Sequence, residues 1–172
     1  MNTLVGSAQG FSSGGPGKGM YCRSVTNLMQ RHAYINSASC INAHFTDSGL
    51  FGMNIEGPGS HSAELLAVMI EELNKLREPI PDAELNRAKN ILKMNILMAL
   101  ERGENRLEEM ARQYMTFGVL DISKYCADVD KIDSEMINAA ATKALAGVPT
   151  MVVSGGAINL VPSATEVARQ LK

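Results

Sequence analysis

Residues 10–20, Gly10-Phe11-Ser12-Ser13-Gly14-Gly15-Pro16-Gly17-Lys18-Gly19-Met20, set a lysine among glycines, the composition that binds phosphate when its spacing is right. Backbone N–H groups freed by glycine can cradle an anion while a lysine adds its charge. The spacing here is wrong. A phosphate loop needs glycine, four residues, then Gly-Lys-Ser/Thr. With Gly17-Lys18 as the anchor, Ser12 stands at the leading position and Gly19 at the trailing one. The dinucleotide pattern Gly-x-Gly-x-x-Gly also fails, because it ends on Met20 from Gly15 and on Cys22 from Gly17. What remains is a loop. Four of the six positions from Gly14 to Gly19 are glycine, and glycine weakens any helix or strand it interrupts.

Other reactive side chains do not assemble by spacing. A zinc hydrolase needs two imidazoles close on one helix face and a further ligand. The histidines His32, His44 and His61 are never four apart, and neither H-x-x-E-H nor H-E-x-x-H occurs. His32 reads as the end of a helix, where a cation suits the dipole. His44 reads as a polar-face strand residue, and His61 as loop decoration. No G-x-S-x-G elbow is present. Cys22, Cys40 and Cys126 form no C-x-x-C pair, and their odd number argues against a disulfide framework. The carboxylates of Glu71-Glu72, Glu108-Glu109 and Glu101 to Glu104 read as helix-surface charge. No residue is assigned a catalytic or metal-binding role, and the residues alone describe a binding or structural domain.

The elements around the loop follow from periodicity. Tyr21 to Arg31 is expected as a helix with Val25, Leu28 and Met29 on one side. A β-hairpin follows. In its first strand Ile35, Ile41, Ala43 and Phe45 share the parity expected to face inward. Thr46-Asp47-Ser48-Gly49 is turn chemistry, and Phe51, Met53 and Ile55 are the inward residues of the second strand. Ser62 to Glu78 is an amphipathic helix with Leu65, Leu66, Val68, Met69, Leu73 and Leu76 as its apolar face, stopped by Pro79. Pro81-Asp82 opens a helix striped by Leu85, Ala88, Leu92, Ile96 and Ala99. A break falls near Gly103, and helix resumes to Phe117, with Gly118 as its cap. A short helix is expected near Ser123 to Val129. Another runs from the Asp133 cap to Ala146, a buried strand covers Thr150 to Ser154, and a final helix opens on the capping box Ser163-Ala164-Thr165-Glu166. The fold class is α+β, with helices on one face of a mainly antiparallel sheet.

The 172 residues, 45% hydrophobic, suffice for one domain with a substantial core. A net charge of −2 and a pI of about 5.9 give no basic footprint for nucleic acid. No apolar run approaches the roughly 18 residues of a membrane span. Three unpaired-looking cysteines fit a reducing compartment. Met1 to Val5 reads as the tail of an apolar helix without a cap, so the expectation is a fragment, a split subunit, or a chain completed by another polypeptide.

With these elements in place, Phe11-Ser12-Ser13-Gly14-Gly15-Pro16-Gly17-Lys18-Gly19-Met20-Tyr21-Cys22-Arg23 resembles the glycine-rich loop of the processing-peptidase α subunits, within the pitrilysin-like (M16) metallopeptidase family. The resemblance continues through Asn27 to Arg31, Asp47 to Gly52, Glu84 to Lys89, Glu108 to Gln113, and from Pro149 through Gly155 to the end. It covers essentially the whole chain, read as 1–172, one C-terminal M16-type half-domain with a pitrilysin/LuxS-like fold. It implies a non-catalytic subunit that contacts presequence peptides through Phe11, Ser12, Gly14, Gly15, Pro16, Gly17, Lys18 and Gly19. It also implies a heterodimer with a β subunit that carries the zinc and cuts, no cofactor in this chain, and a mitochondrial matrix location. In several lineages the same pair serves as core subunits of respiratory complex III at the matrix face of the inner membrane. That gives a second expectation, a purely structural core subunit. The family usually carries a glycine run before the Phe. Here Gly6-Ser7-Ala8-Gln9-Gly10 has two glycines, so a stiffer hinge is expected.

Overall fold

A computed structural model describes residues 1–9, 21–45, 47–118, 122–156 and 158–171. The segment of greatest interest, 10–20, lies outside the described residues, so what the structure defines is how its two ends are held.

The described strands form one antiparallel sheet in the order β1-β2-β3: β1 Ser7–Gln9, β2 Ser37–His44 and β3 Gly49–Glu56. The hairpin register pairs Ala38 with Ile55, Cys40 with Met53 and Asn42 with Phe51. Phe51, Met53 and Ile55 pack on the core as expected. The parity of β2 is the reverse of the expectation. Ala38, fully buried, and Cys40 point inward, whereas Ile41 and Phe45 are exposed. Ile41 is opposite Gly52, so its branched side chain has no large cross-strand partner. The small Ala38 instead fits beneath Leu28, Ile35 and Leu65.

Helices cover one face. A short α1, Asn2–Val5, buries Leu4 and Val5. A π-helix spans Ser24–Met29 in place of the expected α-helix, marked by the five-residue bond from Gln30 N–H to Val25 C=O at 3.0 Å. The α2 helix, Ser62–Asn74, tightens into a 3₁₀ turn, Lys75–Arg77, before Pro79. Its Leu66, Ile70 and Leu73, with Leu76 of that turn, form the main core with Val5, Ala141, Val167 and Leu171. The α3 helix, Asp82–Leu100, buries Leu85 and Ala88 but leaves Ala99 exposed. The α4 helix, Gly103–Phe117, ends on Gly118 in the left-handed conformation (φ 75°), the glycine cap expected there. Helices α5, Ile122–Lys131, and α6, Ser134–Ala144, follow; Asp133 caps α6 by accepting Met136 N–H at 2.7 Å. The α7 helix, Ala164–Gln170, carries the capping box of Ser163 and Glu166. Arg77 ties three helix ends together through the carbonyls of Leu145 and Leu171 and the side chain of Asn74.

Thr150 to Ser154 is not a buried strand. No strand forms there, Val152 is 91% exposed, and Met151 alone of the apolar three packs on the core. Its apolar run satisfies the strand pattern, but β-structure needs a neighbouring ladder, and among the described residues none lies alongside. The third strand of the sheet is β1, from the stretch expected to act as a hinge.

Candidate functional site: the neck of the glycine-rich segment

All eight residues expected to contact a peptide, Phe11, Ser12, Gly14, Gly15, Pro16, Gly17, Lys18 and Gly19, lie outside the described residues. The segment leaves the sheet from β1 and returns at Tyr21, and these two feet are described in full backbone detail.

The feet are in contact. Gly6 adopts φ 69° and ψ −162°, a combination essentially reserved for glycine. A Cβ built on it would overlap Cβ of Cys22 and come within 2.5 Å of its Sγ. Only glycine lets the entering backbone lie this close to Cys22. Ser24 Oγ donates to the Gly6 carbonyl at 3.3 Å, and Cys40 N–H donates to the same carbonyl at 3.1 Å. The β1 register, Ser7 opposite Ser39, then continues the entering foot as sheet.

The returning foot is fixed by charge. Arg23 is 7% exposed. Its Nε donates to Glu84 Oε1 at 2.6 Å and its Nη2 to Glu84 Oε2 at 3.2 Å, the two-pronged geometry that suits guanidinium and carboxylate. Its Nη1 donates to the Lys75 carbonyl at 3.1 Å. Burial pulls the Arg23 pKa down, but the hydrogen bond and charge of Glu84, with Glu72 behind it, more than offset this and hold it above the usual guanidinium value. Glu72, expected on a helix surface, is 1% exposed. Both of its oxygens accept from Asn27 Nδ2 at 3.1 Å, and it lies 3.9 Å from Arg23 Nε and 3.7 Å from Lys75 Nζ. A carboxylate is buried only when so surrounded. Its neighbour Glu71 is the exposed one of the pair. A hydrogen bond from Lys75, at 2.7 Å, holds its carboxyl below the ordinary range. Outside the cluster, the Tyr21 ring lies under the Arg87 guanidinium, 5.5 Å from its centroid.

The neck is packed solid. The cavity beside it, lined by Leu4, Tyr21, Cys22, Glu84, Arg87 and Ala88 among others, holds only about 10 Å³, the size of a single water. A cleft of about 330 Å³ between α3, α4 and α5 includes Glu109, Arg112 and Tyr125 and shares no residue with the neck. Among the described residues no three His, Cys, Asp or Glu side chains gather closely enough to hold a metal ion. His32 and His61 instead flank Tyr34: His32 Nδ1 is 3.1 Å from the Tyr34 hydroxyl, and the His61 ring stacks on Tyr34 at 4.8 Å. The side chain of His44 lies outside the described part. No helix among the described residues is long and apolar enough to cross a membrane.

Sequence reasoning missed the Arg23–Glu84–Glu72–Asn27 cluster, though one signal was present. Glu72 stands seven residues after Leu65 and three after Met69, on the apolar face of α2 rather than its polar one. A carboxylate at such a position requires a buried partner.

Helices laid on one face of an antiparallel sheet define an α+β domain. Residues 2–92 match the family model described as "Peptidase M16 inactive domain", and the chain belongs to the peptidase M16 family. Among curated proteins it is similar to the α subunit of the mitochondrial-processing peptidase of Caenorhabditis elegans, 32% identical over 156 residues, covering 90% of this chain and 30% of that protein. The α subunit of Neurospora crassa is 38% identical over 123 residues, covering 69% and 21%. That of Solanum tuberosum is 28% identical over 175 residues, covering 100% and 34%. The chain thus spans about a third or less of the length of these relatives. Among solved structures, a chain of complex III2 from Candida albicans, Inz-5 bound, shares the fold with a TM-score of 0.78 at 16% identity, over 99% of this chain and 40% of that one.

Proposed function

We propose that this chain is a substrate-recognising, non-catalytic part of a processing peptidase, and that residues 10–20 contact presequence peptides which a zinc-bearing β subunit then cleaves. The observation that carries the reading is the similarity to processing-peptidase α subunits, which extends over the whole chain in the Solanum tuberosum protein. Physical argument agrees with it. A peptide must be extended to be cut. A glycine-dense segment offers it backbone donors and acceptors with little steric bulk, Phe11 offers an apolar contact, and Lys18 a positive charge. The proposed setting is the mitochondrial matrix, with the β subunit as the lasting partner and no cofactor in this chain.

Reconstitution with a zinc-bearing β subunit tests this. Deleting Gly14 to Gly19 should raise the KM for a presequence peptide or abolish cleavage; unchanged kinetics would refute the role of the segment. A rival reading, a structural core subunit of complex III alone, has the fold likeness in its favour. It predicts co-purification with cytochromes and no cleavage.

A further inference from the structure

We propose that Arg23 is a positioning residue for the glycine-rich segment, holding its returning foot on the helical layer. This rests on the reading that the segment contacts a peptide. Three groups far from the foot in the chain converge on one guanidinium: Glu84 at the start of α3, the Lys75 carbonyl in the 3₁₀ turn after α2, and the buried Glu72 of α2 behind them. Glu72 in turn grips the π-helix through Asn27. The foot is therefore held from Arg23 to the π-helix by one connected set of charges and hydrogen bonds. The entering foot is held separately, by sheet pairing and by the Gly6–Cys22 contact. A π-turn at this point is consistent with such a role, since π-helical turns are rare and concentrate at functional places.

The arrangement demands arginine. A lysine keeps the charge, but its three N–H donors sit on one nitrogen, so it cannot span the Glu84 carboxylate and the Lys75 carbonyl as the planar fork does. Arg23→Lys is thus the informative variant: the buried acids keep a cation, the core is untouched, and only the fork is lost. If Arg23→Lys fails to fold, the paired change Arg23→Met with Glu84→Gln, which removes both charges, takes its place. Glu71→Gln, which alters only the exposed carboxylate paired with Lys75, is the control.

Two readouts separate positioning from general stability. Amide hydrogen exchange on the chain itself should speed about tenfold or more at Cys22 to Ser24, with α6 and α7 unchanged, because one charge-assisted bond holding a local opening is worth that much. In the reconstituted pair, the KM for a presequence peptide should rise about tenfold with kcat unchanged, and Glu71→Gln should alter neither. Unchanged exchange at Cys22 to Ser24 in Arg23→Lys overturns the proposal. So does a rise in exchange spread evenly over the chain, and so does faster local exchange with KM unmoved while deletion of Gly14 to Gly19 still raises it. If that deletion itself leaves KM unchanged, the reading of the segment fails instead. Local exchange then still decides whether Arg23 holds the foot.

Discussion

Gly6→Ala is the sharpest test of the neck as described. Two costs combine. The backbone at φ 69° and ψ −162° is strained for any residue with a Cβ, by roughly 1–3 kcal/mol. The new methyl would also overlap Cys22, coming within 2.5 Å of its Sγ, and forced overpacking of this kind costs roughly 1–3 kcal/mol. Cys22 cannot easily yield, since it is 6% exposed and sits between Gly6 and the Arg23 anchor. The expected loss is about 4 kcal/mol, a large share of the ordinary 5–15 kcal/mol stability of a domain, or roughly 8–16 °C in Tm for a chain of this size. Urea unfolding followed by circular dichroism measures it. The two costs separate in a second background. Cys22→Gly removes the obstructing atoms and leaves the backbone strain, so Gly6→Ala should cost about half as much there, a coupling of about 2 kcal/mol. A Gly6→Ala cost below about 0.5 kcal/mol, typical of an unconstrained surface site, would refute the contact. An equal cost in both backgrounds would refute the steric part.

Three further outcomes are expected. Leu76→Ala, at a fully buried position in the main core, should cost about 2–5 kcal/mol by the same unfolding assay. Asp133→Ala, which removes the acceptor for Met136 N–H, should cost about 1 kcal/mol and leave the denaturant slope unchanged. Burial pushes the Cys40 thiol up from 9.0 to about 11. At pH 8 its alkylation should therefore run on the order of a hundredfold slower than that of a free thiol of pKa about 8.5. The same shift has a definite sign for stability. The folded state keeps the proton that the unfolded state gives up, so the contribution is complete below about pH 8.5 and fades as pH rises toward 11. The fall in stability from pH 9 to 11 should accordingly be shallower in Cys40→Ala.

Much of the fold was legible because long amphipathic helices announce themselves. The α2 face, the Gly118 stop, the Asp133 cap and the Ser163 capping box each rest on local chemistry that tertiary context did not override. The first hairpin strand was misread because size was taken as the guide to burial. Ala38 and Cys40 are inward and Ile41 and Phe45 are not, because Ala38 and Cys40 lie opposite Ile55 and Met53, whose larger side chains fill that face with Leu28 and Leu65. Thr150 to Ser154 shows the opposite failure, a correct local pattern without the partner that would make it a strand. The neck was illegible for a third reason. Its hydrogen bonds join residues 61 and 52 positions apart in the chain, and no local period reports a contact at that distance.

Gly6 and Cys22 touch, and Arg23 fastens the second foot to the helical layer, so the platform fixes the gap that any sequence strung between the feet must bridge. A span of another length grafted there would meet the same two anchor points, and each doubling of a flexible closed loop costs only about 0.6 kcal/mol.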